Sequence, residues 1–200
     1  MVTFAHIAGS VGLFALTGPL LLFTYLIYKK TPGASKAYKY WAIAAAIIFF
    51  NEVYYLIFLI VDVQLLYVLY SAIVIIGYLY IAIGAMYLAK DMSLTKITDS
   101  LIKKMLQTFY ITVGIWTIIL FLASLSVDLS VETIRILRKV VLSVIWVISI
   151  YYVNFVYKTL KATNSCWLYL YIGLYFSLIN EVLYAFYFSE IFEIIALIFQ

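Results

Sequence analysis

The stretch VQLLYVLYSAIVIIGYLYIAIGAMYLA, running from Val63 to Ala89, decides the fold. It holds no Asp, Glu, Lys, Arg or His. About 20 consecutive apolar residues are enough for a helix to cross the hydrocarbon layer of a bilayer, where a helix satisfies its own backbone polar groups. A soluble surface helix of this length shows a charged face, and this one has none. The stretch therefore reads as a membrane span.

Similar runs lie at 4–28, 38–61, 106–127, 131–157 and 165–188. Of the 200 residues, 68% are hydrophobic and only 11% charged, too little polar surface to cover a soluble core. The expected fold is an all-α polytopic transmembrane bundle of about six spans, in a single domain over 1–200. The breaks are short. Pro32-Gly33 marks a turn between Lys29 and Lys39, and Asp62 alone separates the second run from the third, which predicts a tight antiparallel hairpin. The first run continues to Tyr28, too long for a cleaved leader, so it is read as a retained span.

Two segments do not fit the spanning pattern. In 90–105, Leu94, Ile97, Leu101 and Met105 recur at three- and four-residue spacing. This suits a short amphipathic helix in the interface or an extension of the fourth span. After Ser189, a helix cap with Glu190 and Glu193 in its first turn leads into an apolar end too short to span. The segment 190–200 is expected to dip into the membrane edge or fill a groove on a partner.

Orientation follows from the basic residues. With the N-terminus outside, Lys29, Lys30, Lys36, Lys39, Lys90, Lys96, Lys103, Lys104, Lys158 and Lys161 fall on the cytoplasmic side, and Arg135, Arg138 and Lys139 face out. Ten against three satisfies the positive-inside rule. The formal charge of +4 is therefore a matter of topology, and no nucleic-acid partner is expected. The expected location is the plasma membrane.

An internal repeat runs through the chain. Lys30-Thr31-Pro32-Gly33-Ala34-Ser35 is echoed by Lys158-Thr159-Leu160-Lys161-Ala162-Thr163, and Asn51-Glu52-Val53-Tyr54-Tyr55 by Asn180-Glu181-Val182-Leu183-Tyr184. The two matches come in the same order, at offsets of 128 and 129 residues. Both copies fall on spans that leave the cytoplasm, so the duplication is parallel, with repeat-like halves at about 1–61 and 131–190 joined by the runs 63–89 and 106–127. Parallel repeats occur in transporters, whose sites form at the repeat interface. In topology alone the layout is similar to the three-plus-one-plus-three folds of the sugar-transporting PQ-loop proteins and microbial rhodopsins. The chain has no Pro-Gln pair and no lysine in its final span.

The repeated acids are the leading functional candidates. A carboxyl near mid-membrane costs about 2.5–3.5 kcal/mol on insertion scales and normally faces the bundle interior or a wet cavity. Glu52 and Glu181 are candidates to share a proton or bind a cation. Asn51 and Asn180 would add amide oxygens, and Tyr55 and Tyr184 would donate to a carboxylate. A structural alternative is a clasp in which a neutral Glu ties helices together.

His6 and Cys166 are the only residues of their kinds, which excludes a bis-histidine haem, a two-histidine metal site and an intrachain disulfide. No phosphate loop or Ser–His–Asp set is present, so neither cofactor nor metal is expected. Pro19 is read as a packing kink, and Gly9 with Gly12 as a close-approach surface. Tyrosines near span ends, such as Tyr28 and Tyr157, fit an aromatic belt, whereas Tyr67, Tyr78 and Tyr80 lie deeper and need hydrogen-bond partners.

Three functions follow as expectations. The first is a non-catalytic subunit of a larger, energy-transducing membrane complex, whose partners are the lipid bilayer and other membrane subunits or copies of itself. The second is a small proton- or cation-coupled solute transporter built on Glu52 and Glu181. The third is a membrane enzyme acting on an isoprenoid-like lipid through a neutral Glu. In its paired acids this last reading resembles the membrane lycopene cyclases, without the Pro-Glu-Glu pattern expected there.

Overall fold

A computed structural model of the chain describes residues 18–30, 35–61, 64–92, 96, 98–126, 131–160 and 166–186. These residues form six helices. Helix α1 covers 18–30, followed by α2 (Lys36–Val61), α3 (Gln64–Asp91), α4 (Asp99–Ser126), α5 (Val131–Leu160) and α6 (Cys166–Phe186). No strand occurs among the described residues. The boundaries of α2, α3, α5 and α6 follow the apolar runs closely.

Three helices are long and apolar enough to cross a membrane, at Leu66–Asp91, Asp99–Ala123 and Thr133–Thr159. The expected count was about six. Side chains of α2 at 56 and 58–61 and the flanks of the first and last runs lie outside the described residues, as do His6, Gly9, Gly12 and 190–200. The segment 90–105 is divided: α3 runs to Asp91 and α4 starts at Asp99, so Leu101 and Met105 belong to a helical extension of the fourth span. Ile102 on the same turn is buried while Leu101 and Met105 are exposed, which is not the single apolar face of an interfacial helix.

The helix directions can be read from side-chain contacts. Tyr55 meets Tyr70, and Ser35 meets Asp91, so α2 and α3 are antiparallel. Arg138 meets Tyr70 and Trp146 meets Tyr78, so α5 runs parallel to α3. Lys139 meets Glu181 and Tyr157 meets Tyr171, so α6 is antiparallel to α5. Helix α3 packs against α2, α4 and α5, and is the most buried of the three candidate spans; α4 is the least. The core is built around α3, with Val68, Ile75, Ala82 and Tyr87 meeting Leu142, Ile145 and Val156 of α5 and Ala37 of α2.

Small residues set how closely α2 approaches α3. Ala42, Ala44 and Ala45 are buried on α2, and on α3 Gly77 faces Ile47 and Ile48 of α2 while Gly84 faces Trp41. Such residues let backbones approach where lipid tails supply no hydrophobic drive for association. At Gly84 the gap is filled by the Trp41 indole, whose Nε1 donates to the Ile81 carbonyl at 3.1 Å.

The lysine-rich end is tied by a polar knot. Ser35 caps α2, its Oγ accepting from the Ala37 amide at 3.1 Å while donating to the Asp91 carboxylate at 2.6 Å. Thr98 caps α4 through the Leu101 amide at 3.2 Å. Asp99 accepts from Lys36 at 3.3 Å and from Lys90, and both lysines flank the Tyr87 ring, each 5.6 Å from its centroid. Substituting Asp99→Asn is expected to lower the melting temperature slightly, since exposed ion pairs contribute little and are screened by salt. Melting parent and variant at low and high salt checks this; the difference should shrink at high salt.

Candidate functional site

Helix α5 has three basic residues at 135, 138 and 139, a spacing that places them on neighbouring positions of one face. Lys139 lies eight residues beyond Val131, ~12 Å along the axis. Arg138 and Lys139 are both buried. They had been counted as outward loop charges; instead they sit inside a helix and turn toward α3 and α6. Their weight in the orientation count falls accordingly.

Lys139 Nζ lies 2.7 Å from Glu181 Oε2 of α6, and neither side chain is more than 11% exposed. The contact is a close, buried ion pair. Arg138 lies over two tyrosine rings of α3, its Cζ 4.9 Å from the Tyr70 centroid and 5.4 Å from that of Tyr67. Its Nε and Nη1 are buried and meet no acceptor. A guanidinium in such a place gains from the ring faces.

Glu52 of α2 completes the cluster from the other side of α3. It is 4% exposed, one turn from Tyr55, whose ring lies 4.7 Å from that of Tyr70. Tyr55 and Tyr70 lie within the fields of both Glu52 and Arg138. Tyr78 lies within the fields of Glu181, Glu52 and Arg138 together, and its ring packs edge-on against Trp146 at 5.1 Å. The two repeated acids therefore both lie within electrostatic reach of Tyr78 of α3, as does Arg138 of α5.

The other expected site residues separate from this centre. Asn51 is 2% exposed and borders an open apolar groove of about 410 Å³, lined also by Ala46, Ile47, Phe50, Tyr54 and Ile73. Both its amide atoms and the Tyr54 hydroxyl are buried with no hydrogen-bond partner. Asn51 thus borders the α2–α3 groove. The side chains of Asn180 and Tyr184 lie outside the described residues.

Sequence reasoning missed Lys139 as the ion-pair partner of Glu181, with Arg135 and Arg138 beside it on α5. A signal was available: all three fall inside the apolar run 131–157, and buried carboxylates require nearby cations or hydrogen-bond donors. The chain matches no family model, and no curated protein and no solved structure is similar to it.

Proposed function

We propose that the chain is a small proton-coupled membrane transporter in which the Lys139–Glu181 ion pair is the exchangeable element. The observation that carries this reading is a close ion pair buried between two helices of a membrane bundle. Ionisable groups at membrane depth are costly and mark ion or proton pathways. Adding a proton to Glu181 removes its attraction for Lys139 and makes parting α6 from α5 inexpensive. Losing the proton restores the contact. A metal cation fits this site less well, since it would have to displace the Lys139 ammonium and accept Arg138 as a neighbour.

In this reading the chain forms about six spans with its N-terminus outside the plasma membrane, and the Asn-Glu segments belong to a parallel repeat. Helices α2 and α6 both leave the lysine-rich end, each carrying one acid within electrostatic reach of Tyr78. The reading is tested in liposomes holding a pH-sensitive dye, with the membrane potential clamped and sugars, amino acids and carboxylates added in turn. The parent protein should move protons when its solute is present, and Glu181→Gln should abolish that flux. Full flux from the Glu52→Gln/Glu181→Gln double variant, or none from the parent, overturns the reading.

A second reading, a non-catalytic subunit of a membrane complex, draws on α4. Among the described residues this helix packs mainly on α3, and Ile111, Ile115, Ile118, Ile119 and Leu122 stand exposed along it. Native mass in mild detergent tests it: partners in fixed ratio support the subunit, and a chain that runs alone or with its own copies rejects it.

A further inference from the structure

We infer that the outward face of α4 binds an anionic phospholipid, with the phosphate head on Lys103 and Lys104 and the chains along a row of isoleucines. This goes beyond the transporter reading and does not rest on it; it needs only that α4 crosses the membrane.

The apolar half of the site is a stripe on one helix. Lys104, Ile111, Ile115 and Ile118 follow at steps of seven, four and three residues, which return each to the same side of α4. All four are exposed, while Ile102, Val113 and Leu120 on the opposite side are buried in the core built around α3. Gly114 lies one turn from both Ile111 and Ile118. Nothing stands within 4 Å of where its Cβ would be, which leaves a notch beside the stripe for a hydrocarbon chain.

The polar half is a pair of cations with no acid to meet. At the lysine-rich end Asp91 accepts from Ser35, and Asp99 is held by Lys36 and Lys90. Lys103 and Lys104 are exposed and form no ion pair among the described residues. The connecting stretches 31–34, 93–97 and 161–165 hold no Asp or Glu that could reach them. Lys29, Lys30, Lys39 and Lys158 stand at the same end and strengthen the positive field.

Depth joins the two halves. Ile111 lies ~10 Å and Ile115 ~16 Å along the helix from Lys104. One leaflet is about half of the ~30 Å hydrocarbon layer, so a lipid whose head meets Lys104 runs its chains past both isoleucines. The lysine stems reach outward along apolar surface and hold their ammonium groups at the headgroup level.

Charge then selects the occupant. A second copy packed on this face about a two-fold axis along the membrane normal would bring the lysines of both copies together, and like charges oppose it. A zwitterionic lipid offers no net charge to the pair. An anionic one supplies it where the lysines stand, with an attraction that weakens as salt rises.

The test mixes the full chain, delipidated in maltoside detergent, with equal amounts of phosphatidylglycerol and phosphatidylcholine, and counts bound lipids by native mass spectrometry. Phosphatidylglycerol should be retained in preference, and Lys103→Gln/Lys104→Gln should weaken its retention about tenfold. Lys29→Gln/Lys30→Gln removes the same charge from α1 and should leave retention near the parent's. Ile111→Ala/Ile115→Ala keeps the lysines and should weaken it severalfold, a readout that stands even where the lysine variant does not fold. Equal retention of the two lipids, equal losses in the two lysine variants, or displacement of the lipid by excess glycerol phosphate overturns the proposal. So does a dimer that persists in phosphatidylglycerol and is lost in Ile111→Ala/Ile115→Ala, which would put a second copy on this face.

Discussion

Lys139→Met is expected to destabilise the protein by about 3–5 kcal/mol, the usual cost of removing one partner from a buried ion pair. The methionine fills a similar volume, so packing changes little, but Glu181 is left buried without the ammonium that now lies 2.7 Å away. The double substitution Lys139→Met/Glu181→Leu should recover most of the loss, because both desolvated charges then disappear together. Equilibrium unfolding in SDS-titrated mixed micelles reads both values. A cost below about 1 kcal/mol for the single variant would mean that the pair is not held in the folded protein. The cycle also separates structure from transport. If the double variant is as stable as the parent yet moves no protons, the charges serve function and not folding.

The second large effect is expected at Gly84. A Cβ there would overlap the Trp41 indole, with Cε2 alone 3.0 Å away and other ring atoms nearer. The ring is not a flexible chain end that swings aside. It is anchored by its bond to the Ile81 carbonyl and packed edge-on against Tyr38 at 5.6 Å. Gly84→Ala must therefore push α2 off α3 or expel the indole, at about 1–3 kcal/mol for overpacking and about 1 kcal/mol for the lost hydrogen bond. Gly114→Ala is the matched control, since nothing lies within 4 Å of its added carbon. It should fall within about 1 kcal/mol of the parent, on the stabilising side, through helix propensity alone. Equal effects at the two positions would show that the α2–α3 approach is not set by Gly84.

These two predictions differ in what a reader of the chain could have foreseen. Gly84 looks like any glycine in an apolar run; only the packing of Trp41 across the helix pair gives it weight. Lys139 was visible within the run 131–157, yet its partner lies some 40 residues away on another helix, and no local spacing connects them.

The sequence by itself determined the helical class and the helix limits. Uncharged stretches such as Val63 to Ala89 leave a chain no other way to satisfy its backbone in an apolar medium, and the short polar breaks mark where helices end. It also singled out Glu52 and Glu181, because carboxyls within apolar runs stand out against their surroundings, and both proved buried. Tertiary structure alone decided what surrounds them. Side-chain directions around a helix depend on which neighbours it packs against, so Asn51 turned toward the α2–α3 groove while Glu52, the next residue, joined the cluster. The same packing drew Arg138 and Lys139 inward, because a buried acid on one helix stabilises a cation on another only when the fold brings the two helices side by side.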